Sequence, residues 1–493
     1  MPLPSEPTPT VTRRQLLRGA GAGAIGLALT GALGEVITGA LASHGVAAPT
    51  APKWHSRPDL RIPALTVLHR DAKAGTDPIF IAPYNAPVGQ AGAVIVDAAG
   101  EPIWENPLAG KVTTNFRVQR YRGSPVLTWW EGSIELGHGV GEYVIVDSAY
   151  RTVRRVQAAR GLRGDLHEFV ITPRDTALLT SYVVQKADLS SVGGPRAGTI
   201  QDAICQELDL TSGRVLFEWH SLDHIPLSES YASVGADWDF FHINSVSLDA
   251  DGELLVSGRS THTVYKIDRR GQIVWRLGGK RSDFAMGPGS GFAWQHDARR
   301  QLDGTLTVFD NGATPAVEPL SRGLILDLDE GAMSASMLAQ YTHSRVLSGS
   351  QGSMQLLEGG NVFVGWGEAP RVSEFDRSGR LLFDAILGDR YQSYRAFRLP
   401  WSGRPAAAPA IAVRRRRAGI TAYASWNGAT GVSAWRVLAG RRPDQLRPIA
   451  SARSEGLEST IRTPFLGPGL VAVEALDSAG VPLGRSQPIT LTV

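Results

Sequence analysis

The chain has 493 residues, of which 43% are hydrophobic and 20% charged, so it can bury a large core and is neither disordered nor fibrous. Its 50 basic and 47 acidic residues give a formal net charge of +3, so no nucleic-acid partner is expected from charge. With 55 glycines, 30 prolines and a single cysteine, Cys205, the composition favours many tight turns and excludes an intramolecular disulfide and a cysteine-based zinc site.

The N-terminal segment has the pattern of an export signal. Arg13 and Arg14 precede an apolar run rich in glycine and alanine, and small residues follow it near Ala42 and Ala48. This combination is typical of a twin-arginine secretion signal. We therefore predict a signal over residues 1–48 and a mature protein that is secreted or held in the cell envelope without stable membrane insertion. A membrane anchor that stays attached is the alternative.

The following segment is built from one repeated phrase: an apolar strand ending in aspartate, a turn, and a second apolar strand. The six aspartates, 49 to 62 residues apart, are Asp97, Asp147, Asp209, Asp268, Asp327 and Asp376. A second hairpin precedes most copies, as in residues 242–260, so each repeat supplies four strands. The pattern predicts an all-β fold with a six-bladed β-propeller over residues 57–398, and residues 65–69 and 78–84 opening its first blade.

The C-terminal part has a different pattern. Residues 399–418 are rich in proline and alanine and contain four consecutive arginines, 414–417, so we predict a linker there. The arginine run itself fits a solvated face or an edge strand. Residues 419–493 alternate as short strands with glycine and asparagine turns, which predicts a small Ig-like β-sandwich.

Three histidines fall at equivalent places in the repeat. When the repeats are aligned by their hairpin turns, His167, His242 and His296 stand at the start of the first strand in three consecutive blades. Arg259, at the end of the second strand after His242, belongs to the same rim of the channel. A guanidinium binds oxyanions, and an imidazole can act as a nucleophile or move a proton. The set predicts a metal-free group-transfer site for a sulfate, phosphate or carboxylate group.

The segments that carry these residues, DLHEFVITP, DFFHINSVSLDADGELLVSGRS and FAWQHDARRQLDGTLTVFDNG, resemble the arylsulfotransferase family, in the branch common in actinobacteria and fungi. The resemblance implies transfer of a sulfuryl group from an aryl sulfate to a phenolic acceptor by a ping-pong route, without the phosphoadenosine cofactor (PAPS) or any other. It implies that His296 is the nucleophile that becomes a sulfohistidine. His167, His242 and Arg259 would hold the sulfuryl oxygens, and we assign His242 as general acid and base.

Three further residues are candidate substrate contacts. Asn244 lies two residues beyond His242 on an alternating strand, so its side chain points to the same side and can offer a hydrogen bond. Phe241 and Trp294 can stack on an aryl ring, although packing between blades is the alternative role for such aromatics.

Two other functions fit parts of the pattern. One is a non-catalytic secreted propeller that binds a glycan, an anionic ligand or a protein. The other is a metalloenzyme that uses the three histidines as ligands, with Glu168 and Asp297 behind them, although Arg259 would repel a cation. The pattern leaves the oligomeric state open.

Overall fold

The computed structural model describes residues 54–85, 90–344, 346–388, 390–464 and 467–491. The predicted signal, residues 1–48, lies outside them. The described chain is all-β, as predicted. Its helical elements are short: one α-helix, Ser221–His224, and the 3-10 turns Ser190–Val192, Leu227–Glu229 and Pro443–Gln445. Among the described residues, no helix has the length and apolar character needed to span a membrane.

Strands fill the described chain up to residue 398. In chain order they are β1 (Leu65–Arg70), β2 (Ile79–Ile81), β3 (Gly92–Val96), β4 (Pro102–Pro107), β5 (Val112–Tyr121), β6 (Ser124–Glu135), β7 (His138–Val146), β8 (Thr152–Val156), β9 (Phe169–Ile171), β10 (Thr176–Ala187), β11 (Gly198–Asp209), β12 (Val215–His220), β13 (Asp237–Trp238), β14 (Ile243–Leu248), β15 (Leu254–Gly258), β16 (Thr263–Ile267), β17 (Ile273–Gly278), β18 (Ala285–Met286), β19 (His296–Arg300), β20 (Leu306–Asp310), β21 (Arg322–Asp329), β22 (Ser334–Thr342), β23 (Ser353–Leu356), β24 (Val362–Gly365), β25 (Arg371–Phe375), β26 (Leu381–Leu387) and β27 (Ala396–Arg398).

These strands form six sheets of consecutive antiparallel strands. Sheet 1 has the order β27-β2-β3-β4, and sheet 2 runs from β5 to β8. Sheet 3 runs from β9 to β12, and sheet 4 from β14 to β17. Sheet 5 runs from β19 to β22 and sheet 6 from β23 to β26. Three short or peripheral strands extend them: β13 beside β11, β18 beside β22, and β1 beside β26.

The repeated aspartates make turns. Asp97 accepts hydrogen bonds from the backbone N–H groups of Ala99 and Glu101 at 2.8 and 2.9 Å, and this shapes the turn between β3 and β4. The same two-bond pattern recurs at Asp147, Asp268 and Asp376. In the fifth copy the turn aspartate is Asp329, two residues beyond the predicted Asp327, because β21 continues further. The repeat therefore marks hairpin turns.

Neighbouring sheets bury apolar clusters between them. In β2, Ile79 and Ile81 pack towards sheet 6, whereas Phe80 packs towards sheet 2. This alternation arises because successive side chains of a strand point to opposite faces. The first or second strands of neighbouring sheets also touch: β5 contacts β2, β9 contacts β5, β14 contacts β10, β19 contacts β14, β23 contacts β19, and β27 contacts β23. The contacts thus run from sheet 1 to sheet 6 and return to sheet 1.

The start of the chain does not follow the predicted order. Residues 65–69 and 78–84 were expected to open one blade together. Instead, β1 pairs with β26 in sheet 6, with Leu65 opposite Leu387. Strand β2 pairs with β27, with Phe80 opposite Phe397. The first strand of this part, β1, therefore joins sheet 6, and its last strand, β27, joins sheet 1. These pairings connect residues that are far apart in the chain, so local sequence patterns cannot show them.

The C-terminal part forms two further sheets. Its strands are β28 (Ala410–Arg416), β29 (Gly419–Ser425), β30 (Ala434–Gly440), β31 (Arg447–Arg453), β32 (Glu458–Thr463), β33 (Gly469–Leu476), β34 (Pro482–Arg485) and β35 (Ile489–Leu491). One sheet has the order β28-β29-β32, and the other β31-β30-β33-β34 with β35 beside β33. A single apolar cluster, including Ile420, Trp435 and Val473, lies between them. Residues 410–416, inside the predicted linker, form an edge strand of this part.

Candidate active site

Three histidines stand where the first strands of sheets 3, 4 and 5 begin. His242 directly precedes β14, His296 is the first residue of β19, and His167 lies two residues before β9. The ring centroids of His167 and His242 are 4.8 Å apart. The ring centroid of Tyr394 lies 5.6 Å from that of His167 and 6.2 Å from that of His296, so Tyr394 contacts both imidazoles. The fold therefore gathers residues that are 129 positions apart in the chain.

Bulges at the strand starts orient these side chains. The pairing register shifts between Ile243 and Ser245 in β14, and between His296 and Arg299 in β19. His242 has a φ of 53°, in the left-handed region that non-glycine residues rarely adopt. Such irregularities interrupt a ladder and turn a side chain away from its regular direction, and they are common beside active sites.

Each of the three imidazoles has its Nδ1 held by a side-chain oxygen. The pairs are His167 with Asp165 at 2.7 Å, His242 with Asp239, and His296 with Asn311 at 2.7 Å. A carboxylate only accepts, and the Asn311 amide N–H groups already donate to the carbonyls of Ser348 and Gln351. In all three pairs Nδ1 therefore donates. In a neutral ring this leaves Nε2 with its lone pair, the form that a nucleophile or base requires.

His296 is the most enclosed of the three, with 1% of its surface exposed. Burial, together with the nearby positive charge of Arg259, holds the pKa of His296 well below its ordinary value, so the ring is neutral near pH 7. Its Nε2 accepts a hydrogen bond from the backbone N–H of Gln351 at 3.1 Å. The lone pair that would attack an electrophile is thus engaged in this structure, and attack requires that bond to open.

The two aspartates give the other imidazoles counter-ions. Burial lowers the pKa of His242 to about 4, although Asp239 opposes that shift. Burial alone would raise the pKa of Asp165 and of Asp239, but their histidine neighbours hold both below the ordinary value. Both carboxylates are therefore ionised, and each can stabilise an imidazolium if its histidine gains a second proton.

One hydrogen bond and one contact with an aromatic ring hold Arg259 beside the cluster. Its Nη2 donates to the carbonyl of Gly349 at 3.0 Å, and its guanidinium lies 4.9 Å from the ring centroid of Trp294. Its Nε is buried with no hydrogen-bond partner among the described residues. The guanidinium thus keeps donors for an anionic group, while Trp294, predicted as an aryl contact, supports Arg259.

The other two predicted substrate contacts lie in packed surroundings. Asn244 is fully buried and donates from Nδ2 to the carbonyl of Gln295 at 2.6 Å, which ties sheet 4 to the residue before His296. Phe241 is also fully buried, and its ring lies 5.7 Å from Trp219 and 5.5 Å from Tyr265 in the cluster between sheets 3 and 4. Both side chains are fully buried, and Oδ1 of Asn244 has no hydrogen-bond partner among the described residues.

Sequence reasoning missed residues of the cluster. His138 begins β7, and its ring lies 5.5 Å from that of His242 and 3.8 Å from that of Tyr182. No repeat position marks it. Asp165 and Asp239 had a signal, because an aspartate precedes each histidine by two or three positions in DLHEF and DFFHIN. An aspartate two or three residues before a histidine is the pattern that would have identified them.

A buried ion network lies at the start of the first strands. Arg395 is almost fully buried; its Nη1 donates to Asn115 at 2.7 Å and to Glu168 at 3.0 Å, and its Nε lies 3.3 Å from Asp297. Arg299 also pairs with Glu168. Glu168 and Asp297, suggested as groups behind a metal, instead bind arginines. The network joins sheets 2, 3 and 5 through Glu168 and Asp297, the residues that directly follow His167 and His296.

Two groups of side chains have the spacing of cation ligands. In each, the nitrogen and oxygen atoms lie within 4.8 Å of one another; the groups are His138, Asp239 and His242, and His138, Asp165 and His167. Among the described residues these sets do not include His296, so they differ from the predicted metal alternative. Histidine with carboxylate suits zinc and related metals. Here Asp165 and Asp239 already bind Nδ1 of His167 and His242, whereas His138 has no hydrogen-bond partner among the described residues.

A sequence profile of the family described as Arylsulfotransferase (ASST) matches residues 117–388, more than half of the chain. The matched range contains His167, His242, Arg259 and His296. No curated protein matches the chain.

Solved structures show distant likenesses. A Bacteroides caccae protein of unknown function has 12% identity, a TM-score of 0.41, and coverage of 65% of this chain and 98% of its own. A Lactobacillus plantarum protein has 13% identity and a TM-score of 0.35, covering 78% and 100%. The β-propeller domain of Myceliophteria thermophila Cps50 (Swd1) has 13% identity and a TM-score of 0.32, covering 61% and 95%. At these scores the likenesses carry no conclusion about this chain.

Proposed function

Because the chain belongs to the arylsulfotransferase family, and family membership makes it a sulfotransferase of aryl substrates, we propose that it moves a sulfuryl group from an aryl sulfate ester to a phenol through a sulfohistidine on His296. The observation that carries the proposal is the cluster itself: neutral His296 with its basic nitrogen fixed at Nε2, beside two aspartate-backed imidazoles and Arg259. No PAPS is needed, because the donor ester supplies the sulfuryl group.

In the first half-reaction, Nε2 of His296 attacks the sulfur of the aryl sulfate after releasing the Gln351 N–H. The new N–S bond forms as the bond from sulfur to the aryl oxygen breaks, and the electron pair leaves with that oxygen. His242 is neutral at rest because burial lowers its pKa to about 4, so before this step it takes a proton from solvent transiently on Nε2. Paired with Asp239, it then gives that proton to the leaving oxygen. Arg259 donates to the sulfuryl oxygens, where negative charge is concentrated, and His167 can join it only when it carries a second proton on Nε2, a form that its Asp165 partner stabilises.

In the second half-reaction the phenolic acceptor replaces the released phenol. Neutral His242 takes the acceptor's hydroxyl proton as that oxygen attacks sulfur, and the N–S bond breaks with its electron pair returning to His296. The products are the new aryl sulfate and free His296, and the proton on His242 returns to solvent or serves the next donor. One residue acts as acid and then as base, which the fixed Asp239 pair supports by holding the imidazole in one orientation.

The proposal includes the architecture and location of the protein. Six sheets whose first or second strands contact one another in succession, and return from sheet 6 to sheet 1, support a six-bladed propeller. Two sheets around one apolar cluster support an Ig-like sandwich at the C-terminus. The Arg13–Arg14 pattern supports export by the twin-arginine route.

Intact mass spectrometry tests the covalent step. The protein is exposed briefly to excess 4-nitrophenyl sulfate, and peptides are mapped without acid because an N–S bond is acid-labile. We expect one added sulfuryl group on the peptide containing His296, lost when phenol is supplied. The His296→Ala variant should carry no sulfuryl adduct and should release no 4-nitrophenol in a turnover assay.

A matched control separates a lost nucleophile from a general loss of structure. His69 is exposed on the peripheral strand β1, so His69→Ala should form the adduct at the wild-type rate. Wild-type turnover by His296→Ala would contradict the assignment of the nucleophile. If the wild type forms no sulfuryl adduct and releases no 4-nitrophenol, sulfuryl transfer is refuted and a binding protein is favoured.

A further inference from the structure

His138 is a buried imidazole without hydrogen bonds. It is 5% exposed, and neither ring nitrogen has a hydrogen-bond partner among the described residues. Leaving such a group unsatisfied in the interior is costly, so its position calls for a reason. Its Nε2 lies 3.4 Å from Oδ2 of Asp239, the oxygen that binds Nδ1 of His242. His138 and His242 therefore share one carboxylate.

The charges around His138 are unbalanced. The groups that face it are Asp165, Asp239, His167, His242 and the Tyr182 ring. Asp165 and Asp239 are ionised, and Arg259 is the nearby cation, itself facing Glu368 as well as Asp239. With neutral imidazoles the cluster has no surplus of positive charge. A sulfate ester brings one more negative charge, and a proton gained by the cluster offsets it.

We propose that His138 is the proton store of this site: it takes up a proton when an anionic aryl sulfate binds, and as an imidazolium it fixes Asp239 for His242. The inference rests on the proposed sulfuryl transfer and deepens it. The proton comes from solvent and returns there when the anion leaves. His138 then gains a second N–H, and the 3.4 Å approach to Asp239 becomes a charge-assisted hydrogen bond.

Two of the other imidazoles are less suited to this role, and the third, His167 with Asp165 on its Nδ1, is the alternative that the variant below distinguishes. His296 uses both nitrogens, Nδ1 with Asn311 and Nε2 with the Gln351 N–H, so protonation would break a bond. His242 must give and take a proton during the reaction, and Arg259 opposes positive charge on it. Burial lowers the pKa of His138, so its ring is neutral before an anion binds. The two carboxylates that face it, Asp239 and Asp165, favour its charged form, and neither ring nitrogen has a hydrogen-bond partner among the described residues.

Calorimetry tests the inference with 4-nitrobenzenesulfonate, an anion whose C–S bond does not transfer. Titrations near pH 7 in buffers of different ionisation enthalpy give the number of protons taken up per anion bound. We expect about one for the wild type, with affinity falling as pH rises. His138→Asn should bind with little or no uptake, about tenfold more weakly at low pH, and with a flatter pH dependence.

His220→Asn is the matched control, because His220 also pairs with an aspartate, Asp202 at 2.7 Å, outside the cluster. It should take up the same number of protons as the wild type. Equal uptake by His138→Asn and the wild type, or none by the wild type, would overturn the inference. If His138→Asn unfolds, His138→Gln takes its place. A sulfohistidine that forms normally while proton uptake is absent would defeat this inference alone and leave the proposed transfer standing.

Discussion

Asp239→Asn is the most informative single change at the site. The substitution keeps the size of the side chain but removes the charge that Nδ1 of His242 contacts and that Nε2 of His138 approaches at 3.4 Å. A hydrogen bond to a charged group contributes about 1.5 to 3 kcal/mol, and about 1.4 kcal/mol corresponds to tenfold in rate. Because His242 must carry a positive charge to protonate the leaving oxygen, we expect that step to slow by about 10- to 150-fold.

The assay compares two donors in the first half-reaction. Rapid mixing with phenyl sulfate, whose leaving oxygen is strongly basic and needs a proton, should show the full loss in Asp239→Asn. With 4-nitrophenyl sulfate, whose leaving group departs as a stable anion, the loss should be several times smaller. Asp202→Asn, which changes the Asp–His220 pair outside the cluster, should leave both rates unchanged. An equal loss with both donors would refute the role of His242 as the acid.

Three further changes test other parts of the structure. Arg259→Lys keeps the charge but loses the planar fork, so kcat should fall by about 10- to 1000-fold in steady-state assays, whereas an unchanged rate would make Arg259 structural. Arg395→Met leaves Glu168 with one buried partner fewer, so urea titration should show a loss of about 3 to 5 kcal/mol in unfolding free energy. Glu105 has both carboxylate oxygens buried without hydrogen-bond partners among the described residues, and burial raises its pKa from 4.5 to about 8. The unfolded chain ionises first, so thermal melts should show stability falling between about pH 4.5 and 8, and Glu105→Gln should remove that fall.

Local patterns predicted the strands well because each strand is a short segment with its own signal. Alternating apolar residues and an aspartate at each turn mark β3–β4 and β16–β17 in sequence, and the structure has hairpins there. The aspartates act through hydrogen bonds to backbone groups two and four residues ahead, so nothing distant is needed. The exception, Asp329 in place of Asp327, arises where a strand extends by two residues.

Candidate residues were harder to place than strands. The repeat frame identified His167, His242 and His296 because they share a position in the unit, and their roles stay a prediction. It left packing between blades open for Phe241 and gave no sign that Asn244 is buried, and both residues are fully buried. A strand pattern shows which residues share a face, but not whether a neighbouring sheet covers that face.

By itself, the sequence determined the all-β fold, the hairpin turns, the family and the histidines with Arg259, because these depend on local periodicity and on short motifs. Only the tertiary structure decided that β1 joins β26, that Arg395 sits among Asn115, Glu168 and Asp297, and that His138 shares Asp239 with His242. Each of these joins residues about 100 or more positions apart. Contacts of that range follow from how whole sheets pack, which no local pattern encodes.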